Sequence, residues 1–290
     1  MLAQEELNKI NKDLVKTFND LTVITIWNDE EYKMHLNMLN SLPSGIEIVS
    51  IHCIPSDSSM VHLNGIQNIE DRILENKSRM ITADWLYYKR EGDFIGDFNF
   101  RDPQNEAIKL ATNSWILKLD SDEEITITQD KLDFLSGRLF NKPEIGVGGY
   151  RLPIISYQIS SDTPYPWYRV DSGSIRLFRN IEGIEYNWMV HEQPTEKLIQ
   201  LGYKVSNLPI TITHSGYMGE ASVIDKKLKR NYTLILRQME EKPHLKYDNA
   251  LVQYLYKELD LMKKFGLIKL IEEDPNKRFI EETKQNDRTS

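Results

Sequence analysis

Apolar and polar positions along the chain alternate between short apolar runs and longer amphipathic stretches. Leu21-Thr22-Val23-Ile24-Thr25-Ile26 is β-branched at five of its six positions, which predicts a first strand behind a leading helical segment. Helical spacing follows, with Tyr32, His35, Leu36, Leu39 and Leu42 on one face. Asn28 is the cap, and Glu31 three residues on completes a capping box. Pro43-Ser44-Gly45 stops this helix, and Ile46-Glu47-Ile48-Val49-Ser50-Ile51 predicts a second strand. A β-α-β opening of this kind implies a parallel sheet.

Between Pro55 and Asp97 the pattern blurs, and its best reading is helical around Ile69 to Trp85. Asp102 and Pro103 then mark a helix start as cap and first position, and Ala107, Ile108 and Ala111 give that helix a packing face. It delivers the chain to Trp115-Ile116-Leu117-Lys118-Leu119, a short apolar run that predicts a buried strand. Further on, a helix is predicted over Gln129 to Phe140, and strand material over Val147 to Ile159, with Gly148-Gly149 as a bulge or close approach. Tyr165-Pro166-Trp167-Tyr168 reads as an aromatic loop, and Ser174-Ile175-Arg176-Leu177-Phe178-Arg179 alternates as a strand. Met189-Val190-His191-Glu192 and Ile210-Thr211-Ile212-Thr213-His214-Ser215-Gly216-Tyr217 come next. The remainder is helical, with one helix from near Ser222 and another from about Tyr247 to Phe265, ended by Gly266.

Length and composition narrow the class. A chain of 290 residues, 40% hydrophobic and 28% charged, suits a soluble α/β protein with one large domain and an appendage. The division expected is residues 1–217 and a helical extension over 218–290. Cys53 is the only cysteine, so no internal disulfide can form and a cytoplasmic location is expected. The first twenty residues carry no apolar core of signal-peptide type, and no run approaches the ~18 apolar residues of a membrane span. The net charge of −8 disfavours nucleic acid as a partner and leaves membrane contact peripheral at most.

The strand at Trp115 runs straight into Asp120-Ser121-Asp122-Glu123-Glu124. Ligands gather beyond the carboxyl ends of strands in open α/β sheets. Asp120 and Asp122 are two residues apart, so an extended continuation turns both carboxylates to one side. Paired hard oxygens there suit Mg²⁺ or Mn²⁺ with substrate phosphate completing the shell. Acids after a strand also serve as loop solvation or a helix cap, and both readings stand at this level. A calcium loop of EF-hand type is excluded, because counting from Asp120 puts Ile125 where Gly is required and Lys131 where Glu is required.

Taken in order, these segments resemble the family 2 glycosyltransferases, inverting enzymes on the GT-A fold. The resemblance covers about residues 20 to 240. Its pieces are Asn28-Asp29-Glu30 after the first strand, Asn105-Glu106-Ala107, Leu119-Asp120-Ser121-Asp122-Glu123-Glu124, Arg176-Leu177-Phe178-Arg179-Asn180, Val190-His191-Glu192, His214-Ser215-Gly216-Tyr217 and Lys229-Arg230-Asn231. It implies a GT-A-type nucleotide-binding sandwich with a mostly parallel central sheet, and a nucleotide-sugar donor, UDP-linked by preference. Asp122 is implied as ligand of Mn²⁺ or Mg²⁺ with His214 beside it, and Asp120 as contact to the ribose or to the metal. Asn28, Glu30 and Asn105 are implied to line the nucleotide site, and Arg230 or Lys229 to reach the diphosphate. Glu192 is the general base of choice, with His191 as competing base or positioning group.

Two departures bear on base recognition. The family's second strand usually ends in an acid, whereas here Asp57 would have to be displaced into that role. The family often has Arg immediately before the Asn of the helix ahead of the metal strand. Here Gln104 stands in that place, and Arg101 is the expected substitute from a turn earlier. The acceptor is open among a glycan, a lipid-linked sugar and a peptide, and oligomeric state is not specified. A nucleotidyltransferase is the nearest enzyme alternative, though the Gly-rich phosphate loop it would carry near the first strand is absent. A non-catalytic nucleotide-sugar-binding module is the alternative from a different class.

Overall fold

Strand β1 (Leu21–Trp27) is buried along its whole length, as its apolar sequence requires. In the computed structural model the described residues are 20–27, 32–42, 46–55, 79–85, 100–126, 137, 139, 145–158, 167–171, 174–217, 221–243 and 249–264. The chain divides into two compact units, Met1–Gly219 and Glu220–Ser290. After β1 come α1 (Tyr32–Ser41), β2 (Glu47–Pro55), β3 (Arg79–Trp85), α2 (Arg101–Leu110), β4 (Trp115–Lys118) and β5 (Glu123–Thr126). They are followed by β6 (Val147–Arg151), β7 (Ile154–Gln158), β8 (Trp167–Asp171), β9 (Ile175–Arg179), α3 (Thr195–Gln200), β10 (Lys204–Asn207) and β11 (Thr211–Tyr217). The second unit holds α4 (Ala221–Glu241) and α5 (Asn249–Lys264), which pack on one another.

The fold is mixed α/β. Its central sheet has the order β10-β6-β9-β4-β1-β2-β3 and is parallel throughout except for β9, which runs antiparallel to β4 and β6. A second sheet, β5-β11-β7-β8, is mixed in direction. Alternation along β1 feeds two cores. Leu21 and Val23 join Met38, Leu39 and Leu42 from α1 and the segment behind it, with Ile125, Ile154 and Ile212 of the second sheet. Ile24 and Ile26 face Ala107, Ile108 and Ala111 of α2 and its end, and Leu198 of α3. Burial on both faces explains why the parallel strands read as continuous apolar runs, each large side chain contributing roughly 1.5–3 kcal/mol.

Gly148 and Gly149 are both bulge and close approach. The β6–β10 register shifts between Lys204 and Val205, which pair with Val147 and Gly149 and leave Gly148 over. A Cβ on Gly148 would lie 2.6 Å from Tyr203 Cβ, and one on Gly149 would lie 2.8 Å from a Leu198 methyl. Only hydrogen fits there.

Helix α1 buries His35 completely, as its place on the apolar face predicts. The ring stacks on Trp27, which stacks on His52, with centroid separations of 4.9 and 3.9 Å. Ser50 Oγ accepts from Trp27 Nε1 at 3.0 Å and stands 3.1 Å from His35 Nε2. Burial, with His52 nearby, lowers the His35 pKa from 6.5 to about 3. The folded state therefore keeps His35 neutral where the unfolded chain would bind a proton. Stability is fully present above pH 6.5 and is lost as pH falls towards 3. The expected loss is about 2 kcal/mol by pH 5 from this group. Urea titrations of wild type and His35→Asn at pH 8 and pH 5 check this; equal pH dependence in the two proteins would overturn it.

Several expectations are corrected by the fold. Residues 79–85 form strand β3 and not helix, because Met80-Ile81-Thr82 and Trp85 are good strand formers and β2 offers them a parallel edge. Asp102 is not the cap of α2, which starts at Arg101 with Phe100 preceding it and no side-chain cap. Trp167 and Tyr168 lie in β8, paired with β7, and not in a loop. The strand material expected over Val147 to Ile159 is present as two strands, divided at Leu152-Pro153 between the two sheets. The leading segment, Asn28 to Glu31 and nearly all of 129–140 lie outside the described residues.

Candidate functional site

The carboxyl edge of the central sheet gathers the charged groups. Beyond β4 the chain turns from Asp120 to Glu123, whose N–H donates to the Asp120 carbonyl at 3.1 Å. The Glu123 carboxylate folds back to accept the Asp120 N–H at 2.9 Å. Because β9 is antiparallel, its first residues lie at this same edge. One step beyond the Leu117–Leu177 pair, Lys118 and Arg176 bracket Asp120. Lys118 Nζ is 2.9 Å from Oδ1, and Arg176 Nη2 is 3.0 Å from Oδ2. Arg176 Nη2 also lies 2.6 Å from Glu123 Oε1.

This alternation of charge is what makes the burial tolerable. Burial works to raise the Asp120 carboxyl, but Lys118 and Arg176 outweigh it and hold it well below the usual carboxylate range. Burial pushes the Glu123 carboxyl up, with Arg176 working against that rise. Burial disfavours the Arg176 charge, yet Glu123 and Asp120 together keep it above its ordinary value.

Glu192 arrives from the loop between β9 and α3. That loop is tied down at several points. Asn105 donates to the Tyr186 carbonyl at 3.0 Å and accepts its N–H at 2.8 Å. The Phe100 N–H donates to the Met189 carbonyl at 2.9 Å, and the Ile175 N–H donates to Gln193 Oε1 at 3.0 Å. His191 takes a left-handed backbone with φ of 56°, so the strict side-to-side alternation of an extended segment does not apply. The kink leaves His191 half-buried and seats Glu192 inside, 8% exposed. Gln104 Nε2 donates to Glu192 Oε1 at 3.3 Å, and Lys118 Nζ is 3.8 Å from Oε2.

Asp122 and His214 form the third piece. His214 Nε2 is 3.3 Å from Asp122 Oδ2, and its Nδ1 is 3.1 Å from Ser156 Oγ. Both the N–H and the hydroxyl of Ser215 donate to the Asp122 carbonyl, at 3.1 and 3.2 Å. Among the described residues no three His, Cys, Asp or Glu side chains assemble as a metal cluster. Asp120 pairs with Lys118 and Arg176. The remaining pair still suits a divalent ion with substrate oxygens. Neighbouring octahedral ligands at ~2.1 Å stand about 3 Å apart, close to the 3.3 Å found here.

Arg101 is paired with Asp102 at 2.8 Å, and it is Gln104 that reaches the site. Asn105 serves the loop through the Tyr186 backbone. Lys229 and Arg230 lie on α4 in the second unit, where Arg230 contacts Asn231 Oδ1 at 3.4 Å. Asn28, Glu30 and Asp57 lie outside the described residues. Sequence reasoning passed over Lys118, Ser156 and the pairing role of Glu123. For Lys118 a signal existed: a lysine within an apolar strand, two residues ahead of an acid, needs a partner when buried.

No protein-family model matches this chain, and no curated protein matches it in sequence. Among solved structures it is similar to S. aureus TarS, with TM-score 0.41 and 11% identity over 76% of this chain and 40% of that one. It is also similar to S. aureus TarS 1-349 in complex with UDP-GlcNAc, with TM-score 0.41 and 14% identity over 75% of this chain and 66% of that one. TarS 1-349 in complex with UDP gives a TM-score of 0.38 at 14% identity, over 75% of this chain and 64% of that one. The chain thus spans less than two thirds of each. Likeness of this degree leaves function to the chain's own geometry.

Proposed function

We propose that this chain is a metal-dependent inverting glycosyltransferase that moves a sugar from a nucleotide diphosphate to an acceptor nucleophile. The observation that carries the reading is the separation of labour at one sheet edge. Asp122 and His214 form a carboxylate–imidazole pair, while Glu192 stands apart as a buried carboxylate oriented by Gln104 and Lys118. Transfer needs both: a place for the departing diphosphate, and a base within reach of the acceptor.

A divalent ion on Asp122 and His214, Mn²⁺ or Mg²⁺, would neutralise charge on the leaving diphosphate. Glu192 takes the proton of the acceptor O–H or N–H as that atom bonds to the anomeric carbon. The bond from that carbon to the diphosphate oxygen breaks, and its electron pair leaves on the diphosphate. Attack from the face opposite the leaving group inverts the anomeric centre. Gln104 and Lys118 fix the carboxylate, so little reorganisation is needed when the proton moves. Asp120, clamped by Lys118 and Arg176, stays ionised as a rigid acceptor for the donor's ribose hydroxyls. The acceptor is a glycan, a lipid-linked sugar or a peptide, and UDP heads the donor panel by the sequence resemblance.

Calorimetric titration with UDP, GDP, CDP and ADP, each with Mn²⁺ and with chelator, tests the reading. One diphosphate is expected to bind only when metal is present, and Asp122→Ala is expected to weaken that binding at least about 100-fold. Wild-type affinity in Asp122→Ala with Mn²⁺ would remove the metal role. Binding indifferent to chelator would favour a non-catalytic nucleotide-sugar-binding module.

A further inference from the structure

The second sheet carries a polar row across its strands. Glu123 of β5 pairs with His214 of β11, and His214 pairs with Ser156 of β7. Residues directly opposite on neighbouring strands share a face, with Cβ atoms about 5 Å apart. Ser156 is 5% exposed, and its hydroxyl lies 3.1 Å from the one nitrogen of His214 that faces away from Asp122. A buried serine at this place contributes almost no apolar packing. Its chemistry is the hydroxyl, which can donate or accept.

We propose that Ser156 is a positioning residue that sets the tautomer and orientation of His214, so that Nε2 is presented as a metal ligand. The inference rests on the metal reading of Asp122 and His214. Without metal, Nε2–H donates to Asp122 Oδ2, and Nδ1 accepts the Ser156 hydroxyl proton. With a divalent ion at Nε2, the imidazole's single proton must sit on Nδ1, and Ser156 Oγ turns to accept it. A hydroxyl serves both states, whereas a fixed donor or acceptor would serve only one. Groups holding the far nitrogen of a ligating histidine typically control metal affinity 10- to 100-fold.

Ser156→Ala and Ser156→Thr, with wild type and Asp122→Ala as references, test this through Mn²⁺ affinity. Free Mn²⁺ is read by electron paramagnetic resonance, with the favoured nucleoside diphosphate present. Ser156→Ala is expected to weaken Mn²⁺ binding about 10- to 100-fold while melting within about 5 °C of wild type without metal. Ser156→Thr is expected to restore affinity to within about threefold, because it keeps the hydroxyl. If wild type binds Mn²⁺ and loses it in Asp122→Ala, but Ser156→Ala binds like wild type, the inference fails while the metal reading stands. If wild type and Asp122→Ala behave alike, both fail together. A loss in Ser156→Thr equal to that in Ser156→Ala would also overturn it, since packing and not the hydroxyl would then be responsible.

Discussion

Glu192→Gln is expected to lower turnover by about 10²- to 10⁴-fold while donor binding stays within a factor of two or so of wild type. The substitution keeps the shape of the side chain. It also keeps an oxygen that can accept from Gln104 or face Lys118. It removes the ability to take a proton from the acceptor. Because the donor pair Asp122–His214 is a separate cluster, metal-dependent nucleotide affinity should hardly move. Single-turnover rates and calorimetry on the same preparation separate the two quantities. Retained turnover would transfer the base role away from Glu192, with His191 next in line by sequence. Loss of donor binding together with rate would point to a collapsed loop.

Arg176→Met is expected to destabilise the folded state by about 3–5 kcal/mol. Arg176 is the shared cation of two carboxylates, at 3.0 Å from Asp120 and 2.6 Å from Glu123. Glu123 is only 1% exposed, so water cannot take over the lost contact. Lys118 remains for Asp120, which makes Glu123 the more costly orphan. Glu123→Gln in the same background should recover part of the loss, because the carboxylate that needed the cation is gone. Denaturant unfolding of the single and double variants measures both effects. A drop below about 1 kcal/mol in the single variant would mean that the network contributes specificity and not stability.

The sequence made the order of strands 1, 2, 4, 9 and 11 legible because each is an apolar or alternating run with a clear boundary. Buried parallel strands state themselves in this way. Residues 79–85 give no clear strand pattern because Arg79, Ala83 and Asp84 dilute the run, and what makes it a strand is the neighbouring edge of β2. At Asp102 the local cap signal gave way to the contact of Phe100 with Met189, a partner far along the chain. The acids at 120–123 were visible as a motif, but their pairing was not. Which of four charges meets which is decided by β9 running antiparallel, and no local pattern encodes that direction. Gln104 was noticed only as a departure from a family pattern, and Ser156 gave no signal at all, since a lone serine in a strand is common.

The row Glu123–His214–Ser156 has a consequence for how the site is made. Its members come from three strands far apart in sequence, and only hydrogen-bond register aligns them. A slip of one residue turns the opposite set of side chains to that face, bringing Thr213 or Ser215 where His214 belongs. On the proposed metal reading, the site would report on maturation: during refolding, recovery of Mn²⁺ binding would mark the point at which β11 has found its place between β5 and β7.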